Sequence, residues 1–330
     1  MKKQSALTAI LKAKSLTLTV AAAVVILFFY IMNREFLSGN SIRSIMNAMS
    51  LSGMLAVGIS ILLIGGEIDL ATGAEAMFGG VVCAAALAAG MPIPVAIIAA
   101  ILFGAVAGLI NAFFVNVLNI MSFIVTIGMS SIYTGLAYYL TNAKGINVSG
   151  AFLKLGTTAL FGIIPTPFIV MAVFLVIYAF ILRYTDIGRA VYMIGGNRAA
   201  ARLTGVNPKR VTTIVFVNNG VIAAIGGVLL TARMHVANPG AAASGALDAI
   251  AASVLGGVSF AGGAGGMGGC FIGLLLLNAF INGLMAVNLP TYFQLVAQGA
   301  LLIIALSVEY FNARGRQKRV AAEARELMKK

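Results

Sequence analysis

The stretch Arg183–Arg210, RYTDIGRAVYMIGGNRAAARLTGVNPKR, decides how the rest of the chain must fold. It carries six cations (Arg183, Arg189, Arg198, Arg202, Lys209 and Arg210) against one acid, Asp186, in a sequence that is 61% hydrophobic. An Arg or Lys at the centre of a bilayer costs ~2.5–3.5 kcal/mol even on the mildest scale, so this segment lies in water. Within it the sequence predicts one short helix. Asn197 caps it, Arg198–Thr204 forms an Ala-rich run, Gly205 closes it in the left-handed conformation, and Pro208 stops it. Helices below ~12 residues are marginal alone in water. This one therefore needs a surface to dock on, either its own membrane domain or another protein.

Working outward, the composition fits that reading. Charged residues make up 9% of the chain and mean hydropathy is +1.03, whereas soluble domains carry about 25% charged residues. The expected fold class is all-α and polytopic. A net charge of +13 in a soluble protein points to nucleic acid, but the distribution excludes that here. Four cations lie in the first 14 residues, six in the central loop and seven after Phe311, leaving Arg34, Arg43, Lys144, Lys154 and Arg233 elsewhere. That clustering is the positive-inside signature of cytoplasmic segments. The apolar run from Leu16 to Met32 follows the lysines without a clear cleavage site and reads as an uncleaved first span.

Parity then constrains the topology. With the N-terminal tail, the central loop and the C-terminus all cytoplasmic, an even number of spans lies in each interval. Apolar runs fall at 16–33, 42–64, 70–89, 94–118, 121–141 and 163–182, then at 211–232, 246–260, 268–287 and 290–311. Ten spans satisfy parity on both sides of the loop, by the ~20-residue criterion. The turn near Asn119 rests on length alone, and the run 246–260 is short enough to be a broken or re-entrant helix. The chain is expected to be a single transmembrane domain, residues 1–330, with 183–210 a cytoplasmic loop and 312–330 a cytoplasmic helical tail.

Three carboxylates sit between the second and third runs, in Gly65-Gly66-Glu67-Ile68-Asp69-Leu70-Ala71-Thr72-Gly73-Ala74-Glu75. One reading is a turn in which the glycines break one helix and Asp69 caps the next. The other is a discontinuous helix whose acids line a pathway. The cap accounts for Asp69, but Glu75 lies within a span and needs a partner or water. A second glycine cluster, Gly256 to Gly269, loosely echoes the first and reads as close backbone packing; neither cluster is followed by the Gly-Lys-Ser/Thr of a phosphate loop. Ser122 and Thr126, with Ser130, share a helical face, as do Asn278 with Asn282 and Gln294 with Gln298. With Asn111, Asn116, Asn218 and Asn219, these amides and hydroxyls suit either interhelical hydrogen bonds or a path for a neutral, hydroxylated solute. The two cysteines, Cys83 and Cys270, fall in apolar runs and read as core residues. There is no nucleophile–base pair, metal-ligand cluster or ATP-binding motif in the sequence, so an enzyme reading is poor.

Four motifs carry a resemblance to a known family. Gly66–Gly73 is similar to G-x-I-D-L-S-V-G, and Ser122–Gly128 to P-F-I-V-T-L-G. Gly188-Arg189, Ile194–Asn197 and Ala199–Val206 together resemble G-R…A-I-G-G-N…A-A-R-L-S-G-I. Asp248–Gly257 matches D-A-I-A-A…L-G-G. In this order they resemble the permease subunit of ribose-type, monosaccharide ABC importers, from the second span nearly to the end. The resemblance implies a type II importer-like permease that pairs as a homodimer in the lipid membrane. It implies an ABC ATPase subunit that binds the ATP, and a periplasmic or lipid-anchored sugar-binding protein. No cofactor of the permease itself is implied. The central loop then becomes the coupling element, through Gly196, Asn197, Arg198, Ala199, Ala200, Arg202, Leu203, Thr204 and Gly205. A translocation path is expected along Asp69, Glu75, Ser122, Thr126, Asn219, Asn278 and Asn282. Departures at Ala71, Thr72, Ser122 and Ala246 leave the solute open among sugars, polyols and nucleoside-like compounds. Two other readings stand beside this one: an ion-coupled secondary transporter using Glu67, Asp69 or Glu75, and a branched-chain amino acid-type permease.

Overall fold

The computed structural model describes residues 18–241, 244–301, 303, 304 and 307, so the expected tail over 312–330 lies outside the described residues. Helices occupy each of the ten apolar runs. They are α1 (Leu18–Met32), α2 (Gly39–Ile64), α3 (Thr72–Ala88), α4 (Ile93–Asn116), α5 (Ser122–Thr141), α7 (Thr166–Tyr184), α10 (Pro208–Met234), α11 (Gly245–Leu255), α12 (Met267–Ala286) and α13 (291–301). Six of these, α2, α4, α5, α7, α10 and α12, are long and apolar enough to cross a membrane. Among the described residues the remaining α-helices are the one-turn α6 (Lys154–Thr157) and the two helices of the charged loop, α8 (Asp186–Gly196) and α9 (Arg198–Leu203), beside two 3-10 turns at Arg34–Leu37 and Gly150–Leu153. Among the described residues the structure is mostly helical, as expected, apart from two ribbons of two-residue strands, β1 (Ile146–Asn147) with β4 (Val236–Ala237) and β2 (Ala159–Leu160) with β3 (Ile164–Pro165).

The run 246–260 falls well short of a span. α11 has 11 residues, and at 1.5 Å per residue it reaches about 16 Å, roughly half of a hydrocarbon core. It then gives way to a glycine loop. The turn between α4 and α5 is where length alone put it, with Asn119 at φ 53. Pro208 has a different role from the one expected. It is the first residue of α10, with the Asn207 side chain accepting from Arg210 N at 3.3 Å, so it opens a helix rather than stopping α9. A proline loses nothing there, because the first N–H of a helix has no intrahelical acceptor.

α2 and α10 form the axis of the core. α10 packs on α2, α3 and α4, while α2 also meets α7, α11 and α12. Lipid offers no hydrophobic drive to bring helices together, so close packing of small residues does that work. A Cβ added at Gly104 of α4 would stand 2.3 Å from Gly220 O, and one at Gly220 of α10 would stand 2.1 Å from Gly104 O. Here the backbones touch, and no larger residue fits on either side.

Hydrogen bonds sort the helix ends into two faces. On one, Gly263 N donates to Ile64 O at 2.8 Å and the Asn116 side chain donates to Lys209 O at 3.0 Å. On the other, the Asn33 side chain donates to Ala286 O at 2.8 Å, Val148 N donates to His235 O at 3.0 Å, and β1 pairs with β4. The charged loop belongs to the first face. The segment 142–162, expected on the side away from that loop, belongs to the second.

Candidate functional site: two hinges on a charged loop

Both glycine clusters end a helix in the same way. After α2, Gly66 N bonds Leu63 O at 2.9 Å and Glu67 N bonds Leu62 O at 3.0 Å, with Gly66 at φ 78. After α11, Gly257 N bonds Val254 O at 2.8 Å and Val258 N bonds Ser253 O at 3.0 Å, with Gly257 at φ 88. This paired pattern is a Schellman motif, and it needs a left-handed residue that glycine supplies at no steric cost. The echo between the clusters is thus a repeated helix stop.

The first hinge, 65–71, is mostly buried, apart from the exposed Gly66 and the half-buried Ile68 and Leu70, and it is held by side chains. Asp69, Thr72 and Glu75 are all 0% exposed. Asp69 accepts from Ala71 N at 2.8 Å, from the Asn111 amide at 3.3 Å and from the Asn219 amide at 3.1 Å. It is therefore not the N-cap of α3. That position falls to Ala71, which has no side chain to offer, while Asp69 knits the hinge to α4 and α10. Asn111 also donates to Glu75 at 2.9 Å, and Asn219 to Thr72 Oγ1 at 2.9 Å. The N-terminus of α5 closes the other side: Ser122 Oγ accepts from Ile68 N at 3.3 Å and Thr126 Oγ1 from Leu70 N at 3.0 Å. Buried backbone N–H groups must find partners, and an extended hinge has no helix to supply them.

The charged loop folds as two helices, where the sequence reading had one. Thr185 caps α8 by accepting from Gly188 N at 3.1 Å, and α8 buries Gly188, Ala190, Val191 and Ile194 along one side. Asn197 caps α9 as expected, accepting from Ala199 N and Ala200 N at 3.0 Å each. Gly205, at φ 85, closes α9 with Val206 N bonded to Ala201 O at 3.1 Å. Of α9, Ala201 is buried, while Ala199, Ala200, Arg202 and Thr204 are exposed and Leu203 is 90% exposed.

The loop meets both hinges at Gly195. A Cβ there would stand 1.8 Å from Ile64 O and 2.7 Å from Gly263 N. These are the two atoms that join the hinges through their own hydrogen bond. Tyr192 of α8 donates its hydroxyl to Gly265 O at 2.8 Å. Burial pushes its phenol pKa up, which keeps the proton on the donor. Arg198 at the start of α9 pairs with Glu67 of the first hinge and donates to Thr212 Oγ1 at 3.3 Å.

Residues 41–306 match the family described as branched-chain amino acid transport system / permease component. The chain belongs to this permease family. The xylose transport system permease protein XylH of Haemophilus influenzae is 31% identical over 369 aligned residues, which span 91% of this chain and 98% of that protein. The ribose import permease protein RbsC of Escherichia coli K12 is 31% identical over 295, covering 88% of this permease and 92% of the relative. The probable ABC transporter permease protein YphD of the same organism is 32% identical over 289, covering 88% and 87%. No solved structure matches the chain. The permease is a multi-pass protein of the inner membrane.

The expected path residues fall into two separate sets. Asp69, Glu75, Ser122, Thr126 and Asn219 form the network behind the first hinge. Asn278 and Asn282 of α12 face α2 instead: Asn278 donates to Ser52 Oγ at 3.1 Å, and Ser44 donates to Asn282 Oδ1 at 3.2 Å. A small cavity of about 140 Å³ lies between α2, α7, α8 and α10, bordered by Tyr178 and Asn218. Sequence reasoning missed α8 and Tyr192. Its signal was present: Ile187, Ala190, Val191 and Ile194 follow the i, i+3, i+4, i+7 spacing of an amphipathic helix after a capping threonine.

Proposed function

We propose that this permease is the membrane-spanning subunit of an ATP-powered importer for a sugar, a pentose being the first candidate. Ten passes with both termini cytoplasmic, a homodimer in the lipid bilayer, an ABC ATPase that binds the ATP, and a periplasmic or lipid-anchored sugar-binding protein complete the reading. The chain itself is not an enzyme, needs no cofactor, and acts as one transmembrane domain from residue 1 to 330. The ribose and xylose names of its relatives support the sugar class. Coupling runs through Gly196–Ala200 and Arg202–Gly205, with Leu203 entering the ATPase.

One observation carries the reading: the charged loop exposes an apolar knob, Leu203, while its other side touches both hinges through Gly195. A side chain 90% exposed on a helix of six residues is a contact waiting for a partner. We place the path beside α2, bordered by Asn278 and Asn282 and shaped from behind the first hinge by Asp69, Glu75, Ser122, Thr126 and Asn219. Proteoliposomes holding the permease, its ATPase and its binding protein test this with radiolabelled D-ribose and D-xylose. ATP-dependent uptake of either is expected. Uptake that proceeds without the ATPase and follows a proton or sodium gradient overturns the reading.

A further inference from the structure

We propose that Arg198 and Glu67 form a charge-dependent latch that carries movement of α9 into the first hinge. The inference rests on the reading of α9 as the ATPase-docking helix and adds the residues through which its motion is passed on. Glu67 is 7% exposed, so its carboxylate has little water around it. Its ion-pair partner among the described residues is Arg198, the first residue of α9 and 131 positions away in sequence. A mostly buried carboxylate follows its cation, because separation leaves a charge without compensation. The same guanidinium donates to Thr212 of α10, which is 1% exposed, so one side chain spans three elements.

The hinge is built to respond at this point. Glu67 directly follows Gly66, the residue at φ 78 that ends α2. Beyond it Ile68 N and Leu70 N are tethered to Ser122 and Thr126, and Asp69 to Asn111 and Asn219. The hinge therefore has a fixed end, at 68–71, and an end whose side-chain anchor belongs to the cytoplasmic loop. When α9 shifts, Arg198 draws Glu67 with it and loads the bonds at Ile68 and Leu70. Arg198 and Glu67 are positioning residues in this scheme, and neither needs to touch solute.

Hydrogen–deuterium exchange on the full permease–ATPase complex in nanodiscs, with and without Mg-ATP and vanadate, tests the latch without knowledge of the solute. In the wild type, trapping is expected to change exchange at the Ile68 and Leu70 amides by about tenfold or more. Glu67→Arg and Arg198→Glu should each abolish that response, the two together should restore it, and Arg198→Lys, which keeps the charge, should retain it. Glu67→Gln provides a milder variant whose complex can be compared if a reversed charge prevents folding, and it too should lose the response. Full responses in the single variants overturn the latch, and so does a double exchange that assembles with the ATPase yet gives no response. The reading beneath it fails separately: a wild-type permease that does not hold an ATPase removes the docking helix, whatever the hinge amides do.

Discussion

The two hinges end their helices with the same motif and are held by opposite means. In the first, 65–71, polar side chains from α4, α5 and α10 bond the hinge backbone and Asp69. In the second, 256–266, glycines let backbone lie on backbone: a Cβ at Gly262 would meet Gly195 O at 2.6 Å, and one at Gly256 would meet Gly269 O at 2.3 Å. One hinge is specified mainly by side-chain donors and acceptors, the other mainly by the absence of side chains, with Tyr192 to Gly265 O as its side-chain tie. They should therefore fail under different substitutions, and the residue they share should be the most sensitive of all.

Gly195→Val is the largest expected effect. Its Cβ would stand 1.8 Å from Ile64 O, a backbone atom that cannot step aside. Overpacking at such a contact costs about 3 kcal/mol or more. Cys83 and Cys270 are both 0% exposed, so the temperature at which a maleimide dye labels them reports unfolding directly. Labelling of Gly195→Val at wild-type temperatures would dissolve the comparison. Next comes Asp69→Ala, which takes the acceptor from Ala71 N and from one bond of each asparagine. A buried unsatisfied donor costs about 1–3 kcal/mol, so a loss of about 2–3 kcal/mol is expected in the same assay. Gly263→Ala should cost about 2 kcal/mol, because it places alanine at φ 70 with its Cβ 2.8 Å from Gly196 Cα. Tyr192→Phe should be the smallest, about 1 kcal/mol, for one hydrogen bond to Gly265 O. If Asp69→Ala and Gly263→Ala were both neutral, the assignment of side-chain control to the first hinge and backbone control to the second would fail.

Much of this was legible in the sequence, for identifiable reasons. Charge and hydropathy located the helices and the loop, because membrane placement is a strong energetic term that single residues reveal. Asn197 and Gly205 were legible as caps because capping is local. The role of Pro208 was not, since a proline looks the same whether it ends one helix or begins the next. The Asp69 network was hidden because its partners, Asn111 and Asn219, lie 42 and 150 residues away. The Arg198–Glu67 pair was hidden for the same reason. The division of Asn278 and Asn282 from Ser122 and Thr126 follows from which helix each face meets, and helical spacing carries no information on that.

The central proposal is that the charged loop receives an ATPase on α9 and passes its motion to both hinges. The most direct measurement is co-purification of the ATPase with Leu203→Asp and Gly205→Val, together with sugar-stimulated ATP hydrolysis in proteoliposomes. Leu203→Asp puts a charge where an apolar side chain stands 90% exposed, and Gly205→Val forces a β-branched residue to φ 85. The account predicts that both variants insert in the membrane, lose ATPase binding by about tenfold or more, and abolish stimulated hydrolysis. Wild-type binding and stimulation in both would contradict it.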